Sequence, residues 1–127
     1  MDRLTSRREN ATRALAAFKK IASIPSPMDE QRDAAIKRFE YTFETTWKAA
    51  QAWLADIQGR EAGSPRACVI ASRETGILTE DEAELALQMM KDRNLAAHTY
   101  NEDLAKALYA KLSAYSRLLE KWLSKTG

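Results

Sequence analysis

The sequence predicts an all-α protein, specifically an antiparallel up-and-down four-helix bundle with one short extra helix. Apolar residues recur at spacings of three and four along four long stretches. The four Gly and three Pro of the 127 residues fall between those stretches or at the chain end. Nowhere does apolar–polar alternation run long enough to suggest a strand.

The first helix is expected from about Leu4 to Ser23, with Leu4, Ala11, Leu15, Phe18 and Ala22 on one face. Pro25 and Pro27 forbid its continuation. Ser26 as N-cap, Pro27 at the first helical position and Asp29 in the first turn open the second helix. That helix reads to Gln58 through Ile36, Phe39, Phe43, Trp47, Ala50, Leu54 and Ile57. Gly59 to Ser64 is a loop, and Ser64-Pro65 restarts a short helix that stops at Gly76. Thr79-x-x-Glu82 is a capping box, opening a helix through Leu85, Met89 and Met90. Asn101 caps the last helix, whose Leu104, Leu108, Leu112, Tyr115, Leu119 and Trp122 again step by threes and fours. Trp47, Trp53 and Trp122 read as core or dimer-contact residues, Met89-Met90 as core, and Arg7-Arg8 and Lys19-Lys20 as a solvated face.

Residues 1–127 fit one domain, large enough to bury roughly two-thirds of its unfolded surface without staples. One cysteine, Cys68, excludes an internal disulfide. The opening residues lack the apolar stretch of a signal peptide, and the longest apolar run, Ala67 to Ala71, is far short of a membrane span. A cytoplasmic protein without a membrane partner is expected. One His and one Cys exclude a zinc site within the chain. Leu95 stands where a di-metal Glu-x-x-His pair would need its carboxylate, and no glycine-rich phosphate loop exists. No metal or cofactor is expected.

The net charge of +2 is unevenly spread. Residues 1–20 carry six Lys/Arg against two acids, and residues 104–127 five against one. Residues 79–103 carry seven acids against two bases. A phosphate-binding site in that acidic segment would need cations from other helices or another chain.

Within it lies the octapeptide Arg93-Asn94-Leu95-Ala96-Ala97-His98-Thr99-Tyr100, which holds the only histidine. Arg93 and His98, five apart, lie about 140° apart on a regular helix, whereas Asn94 and His98 share a face. The three chemical groups form one site only if the helix ends near His98 or a second chain closes the pocket. In an extended exit, His98 and Tyr100 would be neighbours. Metal-free RNA cleavage needs a base for the 2′-hydroxyl and a cation for the charged phosphorane; His98 and Arg93 suit these roles. One histidine cannot be acid and base in the same turnover, which favours two facing copies. The alternative is a helix-capping histidine, a surface arginine and a half-buried tyrosine. Glu44 and Lys48, four apart on the second helix, are either a solvated ion pair or a support for Arg93.

The run Asp33-Ala34-Ala35-Ile36-Lys37-Arg38-Phe39-Glu40-Tyr41-Thr42-Phe43-Glu44-Thr45-Thr46-Trp47-Lys48, followed by Arg93-x4-His98-x-Tyr100, resembles the HepT-like branch of the HEPN superfamily. This branch is often labelled nucleotidyltransferase substrate-binding protein, and the similarity covers nearly the whole chain. The resemblance implies a helical homodimer paired with a minimal nucleotidyltransferase in a toxin–antitoxin module. It further implies a metal-independent endoribonuclease in which Arg93 binds phosphate and His98 is the acid/base. Tyr100 would be the residue to which the partner transfers AMP from ATP, with Asn94, Glu44 and Lys48 in support. RNA would then be a further ligand. An older description of the same branch implies a non-catalytic subunit that presents substrate to the transferase.

Overall fold

The computed structural model describes residues 2–127, and among them the chain forms five helices and no strand. These are α1 (Arg3–Lys19), α2 (Asp29–Gln58), α3 (Pro65–Glu74), α4 (Glu80–His98) and α5 (Glu102–Ser124). With 30 residues, α2 is about 45 Å long and packs against each of the other four helices. Contacts of α1 with α5, α3 with α4 and α4 with α5 complete the packing. None of the helices is long and apolar enough to cross a membrane.

Most helix ends obey their local chemistry. The Asp2 side chain accepts from the Thr5 amide at 2.7 Å and starts α1. Thr79 and Glu82 form the reciprocal capping box expected of them. Asn101 takes the Leu104 amide at 2.8 Å. Gly59 closes α2 in the left-handed region, at φ 65°, where a side chain would be strained.

Two ends differ from the sequence-based expectation. The α1 helix stops at Lys19 rather than Ser23. The Tyr109 hydroxyl of α5 donates to the Ile21 carbonyl at 2.9 Å and accepts from the Ile24 amide at 2.9 Å. A tertiary contact thus takes over backbone groups that another helical turn would have used. Ser26 is not the N-cap of α2; it sits at φ 47° in the connection, and Met28 is the cap. Proline disfavours a helical residue before it, so the chain turns at Ser26-Pro27 and the helix begins two residues later. The Gln31 side chain then accepts from the Met28 amide at 2.8 Å.

The core centres on aromatic side chains. Phe18 of α1 lies 6.0 Å from Phe39 of α2, and Phe39 stacks on Tyr115 of α5 at 5.5 Å. Phe43, Leu112, Leu119, Met89 and Trp122 are fully buried around them. The Trp122 indole donates to Ser72 Oγ at 3.0 Å, tying α5 to α3. Arg7 and Arg8 are not a solvated face. Arg7 Nη1 donates to the Lys48 carbonyl and to Gln51 Oε1, and Arg8 Nε to Thr126 Oγ1. Burial pushes the Cys68 thiol up to about 11, which leaves it inert near neutral pH.

Phe39 touches aromatic rings from two other helices, so Phe39→Ala should destabilise the fold by about 3–5 kcal/mol. Urea unfolding followed by far-ultraviolet circular dichroism would measure that loss.

Candidate active site

The site begins with two successive charged residues of α4. Asp92 and Arg93 follow Met89 by three and four positions and precede Ala96 by four and three, so both fall on the inward side of the helix. They turn to different neighbours. The Asp92 carboxylate accepts from the Tyr115 hydroxyl and from Lys111 Nζ (3.2 Å), both on α5. Arg93 Nη2 donates to Glu44 Oε2 on α2 at 3.2 Å. Since adjacent helical residues point about 100° apart, this pair fixes the rotation of α4 between α2 and α5.

Glu44 gathers three donors. Besides Arg93, the Trp47 indole N–H lies 3.0 Å from Oε2 and Lys48 Nζ 3.3 Å from Oε1. Burial pushes the Glu44 carboxyl up, but the Trp47 indole, Lys48 and Arg93 together outweigh this and hold it below its ordinary value. One carboxylate between two cations leaves a net positive charge of one, which offsets the acidity of α4. Arg93 Nη1 reaches Asn94 Oδ1 at 3.3 Å, and its buried Nε has no partner among the described residues. Beside them opens a cleft of about 450 Å³ lined by Lys37, Glu40, Tyr41, Glu44 and Arg93.

His98 is the last residue of α4; it is exposed, and its side chain forms no hydrogen bond among the described residues. Thr99 is extended, at φ −139° and ψ 120°, so the alternation of side chains begins at Thr99 and not at His98. Tyr100 lies along α2 instead: its hydroxyl donates to Asp33 Oδ1 at 3.0 Å while the residue stays 68% exposed. The hydrogen bond to Asp33 raises the phenol above its ordinary value, so Tyr100 is protonated at neutral pH. Asp33 and Glu44 are eleven residues apart, three turns and about 16 Å along the same face of α2. Within one protomer the fold therefore unites Arg93 with Glu44, Lys48 and Asn94. It anchors Tyr100 separately, with the His98 imidazole free at the helix terminus.

Sequence reasoning missed Asp92, Tyr115 and Asp33. Two charges on the inward stripe of α4 were a usable signal, because buried charges require partners. Nothing in the sequence paired Asp33 with Tyr100. Among the described residues no three His, Cys, Asp or Glu side chains converge as a metal ligand set.

An all-helical fold with an Arg-x4-His-x-Tyr segment anchored on a long helix defines the class. The chain matches the family described as nucleotidyltransferase substrate binding protein like over residues 6–126. It belongs to that family. No curated protein sequence matches it. A crystal structure of a protein from Thermus thermophilus is 48% identical, with a TM-score of 0.89 covering 91% of this chain and 98% of that one. The same fold appears in the tri-AMPylated HEPN toxin of Shewanella oneidensis in complex with MNT antitoxin. That structure gives 16% identity and a TM-score of 0.78, covering 98% of this chain and 96% of that one. A mutant of the MntA-HpeT toxin–antitoxin pair gives 15%, 0.77, and the same two coverages.

Two outcomes check this geometry. Glu44→Gln should cost no more than about 1 kcal/mol at pH 7. Because the carboxyl is held below its ordinary 4.5, its contribution is full above that pH and is lost as pH falls through the lowered value. Unfolding curves of the two proteins should therefore converge in acid. Tyr115→Phe removes a donor from Asp92 and should lower stability by about 1–2 kcal/mol, read as a drop in Tm.

Proposed function

We propose that this chain is the HEPN-type half of a two-protein toxin–antitoxin module. It acts as a homodimeric, metal-independent endoribonuclease restrained by a minimal nucleotidyltransferase that transfers AMP to Tyr100. The observation that carries the reading is the net-positive Glu44–Lys48–Arg93 group beside an open cleft, with an unengaged His98 at the end of the same helix. The complexes of the Shewanella toxin and of the MntA-HpeT pair support the partner assignment. In architecture we read α1, α2, α4 and α5 as the four-helix bundle and α3 as its short addition. The chemistry is cytoplasmic.

In this mechanism the Arg93 cleft holds the scissile phosphate and Arg93 stabilises the charge that builds on it. His98 takes the 2′-hydroxyl proton as the 2′-oxygen attacks phosphorus. A 2′,3′-cyclic phosphate forms, and the 5′-oxygen leaves with a proton from the His98 of a second copy. Two facing copies supply acid and base together, which one protomer with one histidine cannot do.

Tyr100 is the control point. Its oxygen attacks the α-phosphorus of ATP on the transferase, pyrophosphate leaves, and Asp33 accepts the phenolic proton. The aryl ester can no longer donate to Asp33, and its phosphodiester charge meets the Asp33 carboxylate, which has no ion pair among the described residues, Asp29 being matched by Arg32. The modified side chain therefore leaves that position and brings a bulky anion to the approach to His98.

The existing ion pair of Arg93 with Glu44, and the separate anchoring of Tyr100, favour a second reading: a non-catalytic subunit presenting substrate to the transferase. Expression without the partner separates the two. Wild type should arrest growth and leave RNA ends bearing cyclic phosphate, and His98→Ala should lower cleavage at least about 100-fold. Equal growth and intact RNA in both strains would establish the binding subunit instead. Tyr100→Phe should remain active in the presence of partner and ATP; inhibition equal to wild type would refute the control role of Tyr100.

A further inference from the structure

We propose that the trough between α1 and α2 is a track for single-stranded RNA, leading the strand into the Arg93 cleft. The proposal rests on the endoribonuclease reading, but it concerns how the strand is held and not how it is cut. The trough encloses about 340 Å³. Buried Ala14 and half-buried Ala17 form its floor, and exposed Arg13, Lys37, Arg38 and Tyr41 stand around it. It exists because α1 carries methyl groups at these two positions where longer side chains would fill the gap.

Its cations are held without being neutralised. Arg38 Nη1 donates to the Ala17 carbonyl at 2.9 Å, and Arg13 donates to Asn10 Oδ1. Neither they nor Lys37 makes an ion pair among the described residues. By contrast Lys19, Arg60 and Lys111 are each matched by a carboxylate, from Glu120, Glu74 and Asp92. Guanidinium groups pinned by neutral acceptors keep both their charge and spare donors for phosphate oxygens.

Lys37 and Tyr41 line this trough and the Arg93 cleft alike, so the two depressions adjoin across a common wall. Tyr41, 58% exposed, stands on that wall as a surface on which a base can stack. Cations spaced along a groove with an aromatic platform and an apolar floor are the elements that hold single-stranded nucleic acid. A protein partner would need roughly 800 Å² of complementary surface, whereas the trough offers one large exposed hydrophobic side chain, Tyr41. Cleavage requires a 2′-hydroxyl, which makes the strand RNA. The remaining acids on this path are Glu40 and Glu44 in the cleft, and Glu44 is already matched by two cations.

The test uses the full chain with His98→Ala, so that RNA is bound without being cut, and reads the fluorescence anisotropy of a labelled 12-nucleotide RNA. Adding Arg13→Gln, Lys37→Gln and Arg38→Gln should weaken binding at least about tenfold. It should also reduce the slope of log affinity against log salt by about 2, at roughly 0.7 per single-strand phosphate contact. Tyr41→Ala should weaken binding at least about fivefold with the salt slope unchanged, as expected for loss of a stacking platform. As a control, Arg60→Gln, Arg66→Gln and Arg73→Gln, in α3 and the loop before it and outside the trough lining, likewise remove three charges and should have little effect. Equal weakening by that control, or affinity unmoved by the trough variants, overturns the track. So does a loss of transferase binding with RNA affinity intact. RNA cleavage by the protein carrying His98, measured in parallel, reports separately on the endoribonuclease reading.

Discussion

The site depends on the opposed anchoring of two neighbouring residues, Asp92 to α5 and Arg93 to α2. The buried contacts of α4, Ala83, Ala86 and Met89, are mostly small and give shallow ridges that resist rotation weakly. Asp92 removes that freedom by taking donors from Tyr115 and Lys111. Tyr115 is itself set by stacking on Phe39, which meets Phe18 of α1. The position of one guanidinium in a surface cleft is thereby determined by an aromatic column that crosses the core. Arg93 is partly exposed, yet its orientation is a property of the interior.

The charge distribution then becomes intelligible. Two acidic residues of α4 serve structural ends: Glu82 closes the capping box and pairs with Lys121, and Asp92 holds α5. These charges are matched by neighbours and do not face the cleft. Around the cleft Lys37 and Lys48 of α2 join Arg93 of α4, so that three cations stand against the carboxylates of Glu40 and Glu44. Counting charge along the chain made an anion site in residues 79–103 look unfavourable. Counting it across the packed faces reverses the sign locally, because electrostatic energy depends on distance in space.

Five-helix composition and most boundaries were legible in the sequence because they are local. Gly59, Ser64, Thr79 and Asn101 act through backbone angles or through a side chain reaching three residues ahead, and such interactions need no knowledge of the fold. The start of α2 was misread locally, at Ser26-Pro27, but the end of α1 was misread because a distant residue intervened. Tyr109 reaches from α5 to unwind the end of α1, and no window around Ile21 contains it. Arg7 is another case: in isolation Arg7-Arg8 reads as a charged surface pair, but Arg7 spans to carbonyl and amide oxygens on α2. The Arg93–Glu44 contact could be anticipated only as one option among several, since spacing on α2 explains Glu44 with Lys48 equally well. The pairing of Asp33 with Tyr100 had no local trace at all.

The place where α4 ends ties these threads together. Had the helix continued past His98, Tyr100 would have been carried around the axis by about 200° relative to His98 and away from α2. The extended Thr99 lets the chain leave the axis, so that Tyr100 can lie down on Asp33 while His98 remains exposed at the terminus. Asn101 then restarts a helix at once, leaving a three-residue connection with little slack. Any event that shifts the backbone at Tyr100 pulls on a segment clamped between two helix ends, one of which is His98. A covalent change on the phenol would therefore act on the imidazole mechanically as well as by charge.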